Sequence, residues 1–175
     1  QYAEQCIGTL PEEFLIQKED LLKDRVAIEM KRYFRGDFKR IGHATRVARY
    51  AERIGRAEGS NPAVVLCAAY LHDIARERQD RSNGRFCHAQ EGSRMARPFL
   101  EKQPLTPDQV DNIVHCIASH RYRGRVSPQT LEAKVLFDAD KLDAIGAIGV
   151  ARAYLFAGEV GARLHAPEVD VADTR

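Results

Sequence analysis

The 175-residue sequence lacks a long hydrophobic run and a strong excess of either charge. Its longest apolar run, 63–71, has nine residues, about half of the roughly 20 that a membrane-spanning helix needs, and predicts a buried helix instead. Lys plus Arg is 27 and Asp plus Glu is 25, which gives a net charge of +2. So small a net charge creates no strong field for polyanions. We therefore expect neither a membrane nor a nucleic-acid partner.

Closely spaced cysteines are also missing, and no secretory signal peptide is visible. The four cysteines lie at least 20 residues apart, so none forms the short pair of a zinc knuckle. Free thiols in a reducing compartment are the simplest interpretation. The N-terminus shows no basic segment followed by an apolar one, and we expect a cytoplasmic protein. A hydrophobic content of 44% excludes disordered and collagen-like classes.

Start signals of helices divide the sequence, and the dominant spacing of apolar residues is helical. Asn61 followed by Pro62 predicts the start of the buried helix, and Thr106, with a glutamine three residues on, predicts another. The polar stretch 76–87 is predicted to be a long covering loop. A further helix is predicted to begin at Ser127, and no convincing strand is present.

These elements predict an all-α, single-domain helical bundle. We divide the chain into an N-terminal helical segment over 1–24, a core over 25–158 and a C-terminal tail over 159–175. The tail shows no apolar period and is expected on the surface.

Several polar residues fall on the apolar faces of the predicted helices, where burying them without partners would be costly. For a single histidine, a hydrogen-bonded core position is the simpler explanation. Together they favour a metal site, because facing helices of a bundle commonly assemble such sites. The residues are His43, His72, Asp73, His120 and Asp140.

The ligand types narrow the choice of metal. A site built from two of these imidazoles and the two carboxylates, without a thiolate, suits Mn²⁺, Fe²⁺, Co²⁺, Ni²⁺ or Zn²⁺, with Mg²⁺ as a further candidate. Neighbouring side chains on a helix diverge by about 100°. His72 and Asp73 therefore address one ion only if it lies between them, near a helix end.

The order of these residues resembles the H…HD…D signature of the HD-domain metal-dependent phosphohydrolase superfamily, whose fold is an all-α bundle. The resemblance extends to longer blocks, which are similar to one bacterial branch, the small nucleoside triphosphate pyrophosphohydrolases. These blocks are HATRVARYAERIG at 43–55, AAYLHDIAR at 68–76, IASHRYRG at 117–124 and DADKLDAIGAIGVAR at 138–152. Similarity runs from about residue 25 to 165.

The resemblance implies roles for individual residues. The implied metal ligands are His43, His72, Asp73 and Asp140. His88 and His120 match two further histidines, which hold a second ion in two-metal relatives and bind phosphate or donate a proton in one-metal relatives. We expect one tightly held ion. The basic residues expected to neutralise phosphate charge are Arg46, Lys141, Arg121 and Arg123.

The implied reaction is attack of a metal-activated water on phosphorus. Asp73 would orient that water or take its proton, and His120 or His88 would steady the leaving oxygen. We predict a metal-dependent phosphohydrolase acting on a nucleotide or related phosphate ester, most sharply a nucleoside triphosphate pyrophosphohydrolase. The alternatives are a phosphodiesterase, alarmone or monophosphate hydrolase, a di-iron oxygenase using all six ligand positions, and a non-catalytic sensor. A homodimer is compatible with the sequence.

Three residues near the motif have simpler interpretations. Arg46 lies three residues beyond His43 and could pair with a carboxylate instead of a phosphate. Arg76 belongs to a stretch of alternating charges that favours a solvated surface. Asp143 is close enough to Asp140 to support the site from behind the ligands.

Overall fold

The computed structural model describes residues 12–162 except 123 and 125, with side chains from residue 21 onward. In this part of the chain eight helices follow one another and no strand occurs, so the all-α prediction is confirmed. The helices are α1 Glu12–Phe34, α2 Phe38–Glu58, α3 Pro62–Leu71, α4 Arg76–Arg81, α5 His88–Leu100, α6 Pro107–Ser119, α7 Leu131–Leu142 and α8 Gly146–Glu159.

The short helix α3 is the centre of the bundle. Asn61 caps it by accepting a hydrogen bond from the main-chain N–H of Val64, as the sequence predicts. Its apolar residues face all directions, and α1, α2, α6 and α7 surround it. Because α3 ends at Leu71, the two residues that follow it are placed deep in the molecule.

Helix α2 lies beside α3 and directs its apolar stripe toward it. Asp37 caps α2 by accepting the main-chain N–H groups of Lys39 and Arg40 through its side chain, so the helix begins at Phe38. Gly59 ends it with a φ of 74°, a left-handed conformation that favours glycine. His43 lies in the second turn on the buried face.

Two local predictions are wrong. Part of the predicted loop 76–87 forms α4, which an ion pair between Glu77 and Arg81, one turn apart, stabilises. The helix expected from Ser127 begins instead at Leu131, because the Thr130 hydroxyl caps it by accepting the N–H of Ala133. The predicted boundary after residue 24 falls inside α1, and the division into segments stays a prediction.

Helix α8 differs from the others in how little of it is covered. Its large apolar side chains, among them Ile148, Tyr154 and Phe156, are about half exposed or more. Ion pairs of Glu159 with Lys39 and of Arg152 with Asp143 connect it to the bundle. None of the helices in the described residues combines the length and apolar character needed to cross a membrane.

A reciprocal cap starts α6 and offers a local test of stability. The Thr106 hydroxyl accepts the N–H of Gln109 at 3.3 Å, and the Gln109 side chain accepts the N–H of Thr106 at 2.9 Å. We expect Thr106→Ala to lower the free energy of unfolding by about 1 kcal/mol in urea denaturation, because one main-chain donor loses its partner. Thr106→Ser keeps the acceptor and serves as the control. Equal losses in both variants would contradict the capping role.

Candidate metal centre

Three helices bring the predicted ligands together at the deep end of α3. His72 and Asp73 follow α3, while His43 comes from α2 and Asp140 from α7. The Nε2 atom of His43 lies 3.2 Å from Nε2 of His72 and 3.3 Å from Oδ1 of Asp140. Oδ2 of Asp73 is 3.8 Å from both Nε2 atoms. These four atoms surround one small space.

Asp73 faces a second group of donor atoms with its other oxygen. Its Oδ1 lies 3.1 Å from Nε2 of His88 and 3.6 Å from Nε2 of His120. The two Nε2 atoms are 3.1 Å apart. Asp73 thus joins two triads that could each hold a metal ion, one with His43 and His72 and one with His88 and His120.

The helix ends fix the rings of His72 and His120. Each histidine directly follows the last residue of its helix and lies within reach of the main-chain carbonyl three residues earlier. Nδ1 of His72 is 2.8 Å from the carbonyl oxygen of Ala69, and Nδ1 of His120 is 2.7 Å from that of Ile117. A carbonyl only accepts, so Nδ1 carries the proton and Nε2 presents a lone pair.

Side chains fix the other two rings in the same way. Nδ1 of His43 lies 2.7 Å from Oδ2 of Asp143, and Nδ1 of His88 lies 2.7 Å from Oε1 of Gln79. All four Nε2 lone pairs therefore point at one another and at carboxylate oxygens. Lone pairs that face one another without a proton between them repel each other. A divalent cation among them would be bound by all of them, so these atoms suit a metal site.

Burial and neighbouring charges keep three of the predicted ligands, His72, Asp73 and Asp140, in their ligating forms. Burial lowers the pKa of His72 to about 4, so the ring is neutral at neutral pH. Burial alone would raise the pKa of Asp73, but its histidine neighbours hold it well below the usual range. The pKa of Asp140 is lowered in the same way, since its contact with His43 and the charge of Lys141 outweigh burial.

A cleft of about 330 Å³ opens over the two triads and has a cationic wall. Nζ of Lys141 lies 2.6 Å from Oδ2 of Asp140 and 3.0 Å from the carbonyl oxygen of His120. Nη1 of Arg121 is 3.3 Å from the sulfur of Cys87. The remaining basic residues of the wall are Arg76 and Arg152. Such a wall suits a ligand with several negative charges.

The structure places the predicted phosphate-binding residues differently from one another. Lys141 and Arg121 line the cleft. Arg46 is instead held by Asp143, with its Nε 2.6 Å from Oδ1 and its Nη2 3.1 Å from Oδ2, and it is not among the lining residues. Arg123 lies outside the described residues. The phosphate roles of all four stay predictions.

Sequence reasoning missed three residues of the site. Arg76 was expected on a solvated surface, but α4 turns it inward until Nη1 lies 3.3 Å from both ring nitrogens of His88. Gln79, also on α4, gave no signal in the sequence. Arg152 ends the block 138–152, and its position there was the only available hint.

Asp143 lies behind His43, one of the predicted ligands. Its side chain is fully buried and holds His43 in the ligating tautomer. We expect Asp143→Asn to weaken Mn²⁺ binding by roughly 10–100-fold, because the neutral amide orients the ring less firmly and makes it less basic. Titration of the metal-free protein with Mn²⁺ measures this. Asp138→Asn, on the exposed side of α7, is the matched control, and equal affinities in the two variants would contradict the role.

Comparison with known proteins gives a family match that spans the candidate site. The family model of the HD domain matches residues 40–145. YpgQ of Bacillus subtilis (strain 168), an uncharacterized protein, is 34% identical over 130 residues, which are 72% of this chain and 60% of YpgQ. The chain thus matches less than two thirds of that relative's length.

Solved structures show the same fold. The crystal structure of YpgQ in complex with ADP is 28% identical with a TM-score of 0.67, covering 86% of this chain and 73% of that one. A predicted HD superfamily hydrolase from an uncultured Thermotogales bacterium is 30% identical with a TM-score of 0.66, covering 76% and 74%. An HD-superfamily hydrolase from Bacillus thuringiensis is 26% identical with a TM-score of 0.67, covering 89% and 74%.

Proposed function

Because this chain belongs to the HD-domain family, we propose that it is a metal-dependent phosphohydrolase whose substrate is a nucleotide. The observation that carries the proposal is the convergence of histidine lone pairs and carboxylate oxygens at the floor of a cationic cleft. The floor suits a divalent cation, and the wall suits the negative charge of a polyphosphate. HD superfamily hydrolases among the similar structures support the reaction class.

His43, His72, Asp73 and Asp140 would hold the ion in this proposal. When bound, a divalent cation activates water and polarises a phosphoryl oxygen. The other protein groups then only need to position charge and move protons.

Proton transfer falls to Asp73 and its histidine neighbours. Oδ1 of Asp73 faces away from the first triad and is the group that orients the attacking water or accepts its proton. Nε2 of His88 lies 3.1 Å from that oxygen, within direct proton-transfer distance. From there His88 or His120 passes the proton to the leaving oxygen. Lys141 adds positive charge beside Asp140.

The number of ions follows from what the second triad does. We propose one tightly held ion in the first triad. His88 and His120 would then bind phosphate or donate a proton instead of holding a second ion. In support, Nη1 of Arg76 lies 3.3 Å from the His88 ring, and a nearby guanidinium opposes a second cation there. Elemental analysis of the purified protein measures the metal-to-chain ratio, and two ions per chain would contradict the single-ion proposal.

The sharpest version of the proposal is a nucleoside triphosphate pyrophosphohydrolase. The complex of YpgQ with ADP supports a nucleotide ligand for this chain. Four basic side chains line the cleft, Arg76, Arg121, Lys141 and Arg152, and they match the charge of a polyphosphate better than that of a monoester.

The test pairs elemental analysis with a product-release screen. Nucleoside triphosphates, diphosphates, monophosphates and cyclic nucleotides are incubated with added Mn²⁺, Co²⁺, Mg²⁺ or Fe²⁺, and both phosphate and pyrophosphate are measured. We expect pyrophosphate from a nucleoside triphosphate. Phosphate without pyrophosphate would favour a monophosphate hydrolase. No release from any nucleotide together with two irons per chain would favour the oxygenase alternative.

A homodimer stays a prediction, and one feature supports it. The apolar side chains exposed on α8 would lose contact with water if two copies met through this helix. Sedimentation velocity at two protein concentrations tests the dimer, and a single monomeric species at both would contradict it.

A further inference from the structure

Arg152 occupies a position between the metal centre and the cleft. Its guanidinium lies 3.1 Å from the carbonyl oxygen of Asp143 and also binds the carboxylate of that residue. The same Nη1 atom is 3.5 Å from Nδ1 of His43, one imidazole ring away from the atom that would meet the ion. Arg152 therefore presents positive charge next to the floor of the cleft.

The carboxylate of Asp143 has more donors than it needs. Nε and Nη2 of Arg46 bind its two oxygens, and Nδ1 of His43 and Nη1 of Arg152 both bind Oδ2. If Arg152 leaves, each carboxylate oxygen keeps at least one charged donor, so the buried charge stays paired. If Arg46 leaves, Oδ1 loses its bonded donor. Arg152 can therefore leave Asp143 without exposing an unpaired buried charge, whereas Arg46 cannot.

Solvent exposure also indicates that Arg152, and not Arg46, is the arginine free to change partners. The side chain of Arg152 is 44% exposed and lines the cleft, whereas that of Arg46 is 31% exposed and is not among the lining residues. A guanidinium that leaves a carboxylate needs another anion to bind two of its donors. A phosphate group is an anion of the right geometry.

We propose that Arg152 exchanges Asp143 for a phosphate group of the substrate, and so takes the phosphate role that the sequence suggested for Arg46. Arg46 then remains the structural partner of Asp143. This inference rests on the proposed nucleotide substrate and adds a named contact to it. Because α8 carries Arg152 and packs little against the bundle, the exchange needs no rearrangement of the core.

The test is calorimetric titration of the Mn²⁺-loaded protein with ADP at fixed ionic strength. Arg152→Gln removes the charge, Arg152→Lys keeps it, and Arg53→Gln removes a charge from an exposed position farther along α2 as the control. We expect ADP to bind at least about tenfold more weakly to Arg152→Gln, because a charge-assisted hydrogen bond is lost. Arg152→Lys restores part of the affinity, and the control matches the wild type.

Titration of the same metal-free proteins with Mn²⁺ distinguishes contact from positioning. Substrate contact leaves the Mn²⁺ affinity of Arg152→Gln within about twofold of the wild type. A parallel fall in Mn²⁺ and ADP affinity would overturn the inference, since Arg152 would then act through Asp143 and His43. Unchanged ADP affinity in Arg152→Gln, or a wild type that binds no ADP, would overturn it as well.

Turnover is measured separately so that the two proposals can fail independently. A wild type that hydrolyses no nucleotide but loses ADP affinity in Arg152→Gln refutes the phosphohydrolase and supports the contact. If the wild type hydrolyses nucleotides but Arg152→Gln binds ADP normally, the phosphohydrolase is supported and the Arg152 contact is refuted. Thermal melts of all variants check that each is folded.

Discussion

Asp73→Ala is expected to abolish nucleotide turnover, with a loss of roughly 10²–10⁴-fold from proton transfer alone. The variant also loses a predicted metal ligand, because Oδ2 of Asp73 lies 3.8 Å from the Nε2 atoms of both His43 and His72. Its Oδ1 faces the second pair, so the substitution damages both triads at once. Metal content measured on the purified variant should fall together with kcat.

The helices should survive this change. The main-chain carbonyl of Asp73 accepts the N–H of Arg76 at 2.9 Å, and this bond is kept in any variant. Circular dichroism should therefore match the wild type. Asp73→Asn keeps the shape and one acceptor oxygen, and comparison with it separates the loss of charge from the loss of volume. Full activity in metal-stripped Asp73→Ala would refute the assignment of the site.

Removal of the metal is expected to have the largest effect on stability. A ligand at about 1,000 times its Kd stabilises the native state by about 4 kcal/mol, and each kcal/mol moves Tm by roughly 2–4 °C for a chain of this size. A chelator should therefore lower Tm by roughly 8–16 °C and stop turnover. Adding Mn²⁺ back should restore both, and an unchanged Tm and activity in chelator would contradict a metal centre.

The stabilisation by metal should depend on pH with a definite sign. Histidine binds metal only when neutral, so acidification releases the ion. Burial lowers the pKa of His72 from 6.5 to about 4. In the metal-free protein this residue is protonated in the unfolded chain but not in the native state between pH 6.5 and about 4, so the native state loses stability as the pH falls across that range. The Tm difference between loaded and chelated protein should shrink as the pH falls through the native pKa of His72, about 4.

Local signals explain which parts of the fold could be predicted from the sequence. The caps at Asn61 and Thr106 involve residues three positions apart, so the partners stand next to each other in the printed chain. The start of α7 was placed too early because Ser127 followed by Pro128 imitates a start signal, and the choice of Thr130 depends on Asn112 of α6, which accepts its hydroxyl at 2.7 Å.

In the candidate site, too, some residues could be predicted from the sequence and their partners could not. The resemblance identified the six histidine and aspartate positions because they recur in fixed order. The partners of those residues were harder to predict, since Arg46 and Asp143 are 97 positions apart and Gln79 meets His88 only after α4 has formed. Which basic residue faces a carboxylate and which faces the cleft is decided by packing.

The cysteines have a practical consequence for following the site in solution. Burial raises the pKa of Cys67 and Cys116 to about 12, so both stay protonated and unreactive. Burial would raise the pKa of Cys87 as well, but main-chain N–H groups at the start of α5 and Arg121 lower it. Among the described cysteines, Cys87 alone combines access with a lowered pKa. Once Cys6, which lies outside the described residues, is replaced by serine, a thiol-reactive fluorophore would attach at the mouth of the cleft and report ligand arrival in real time.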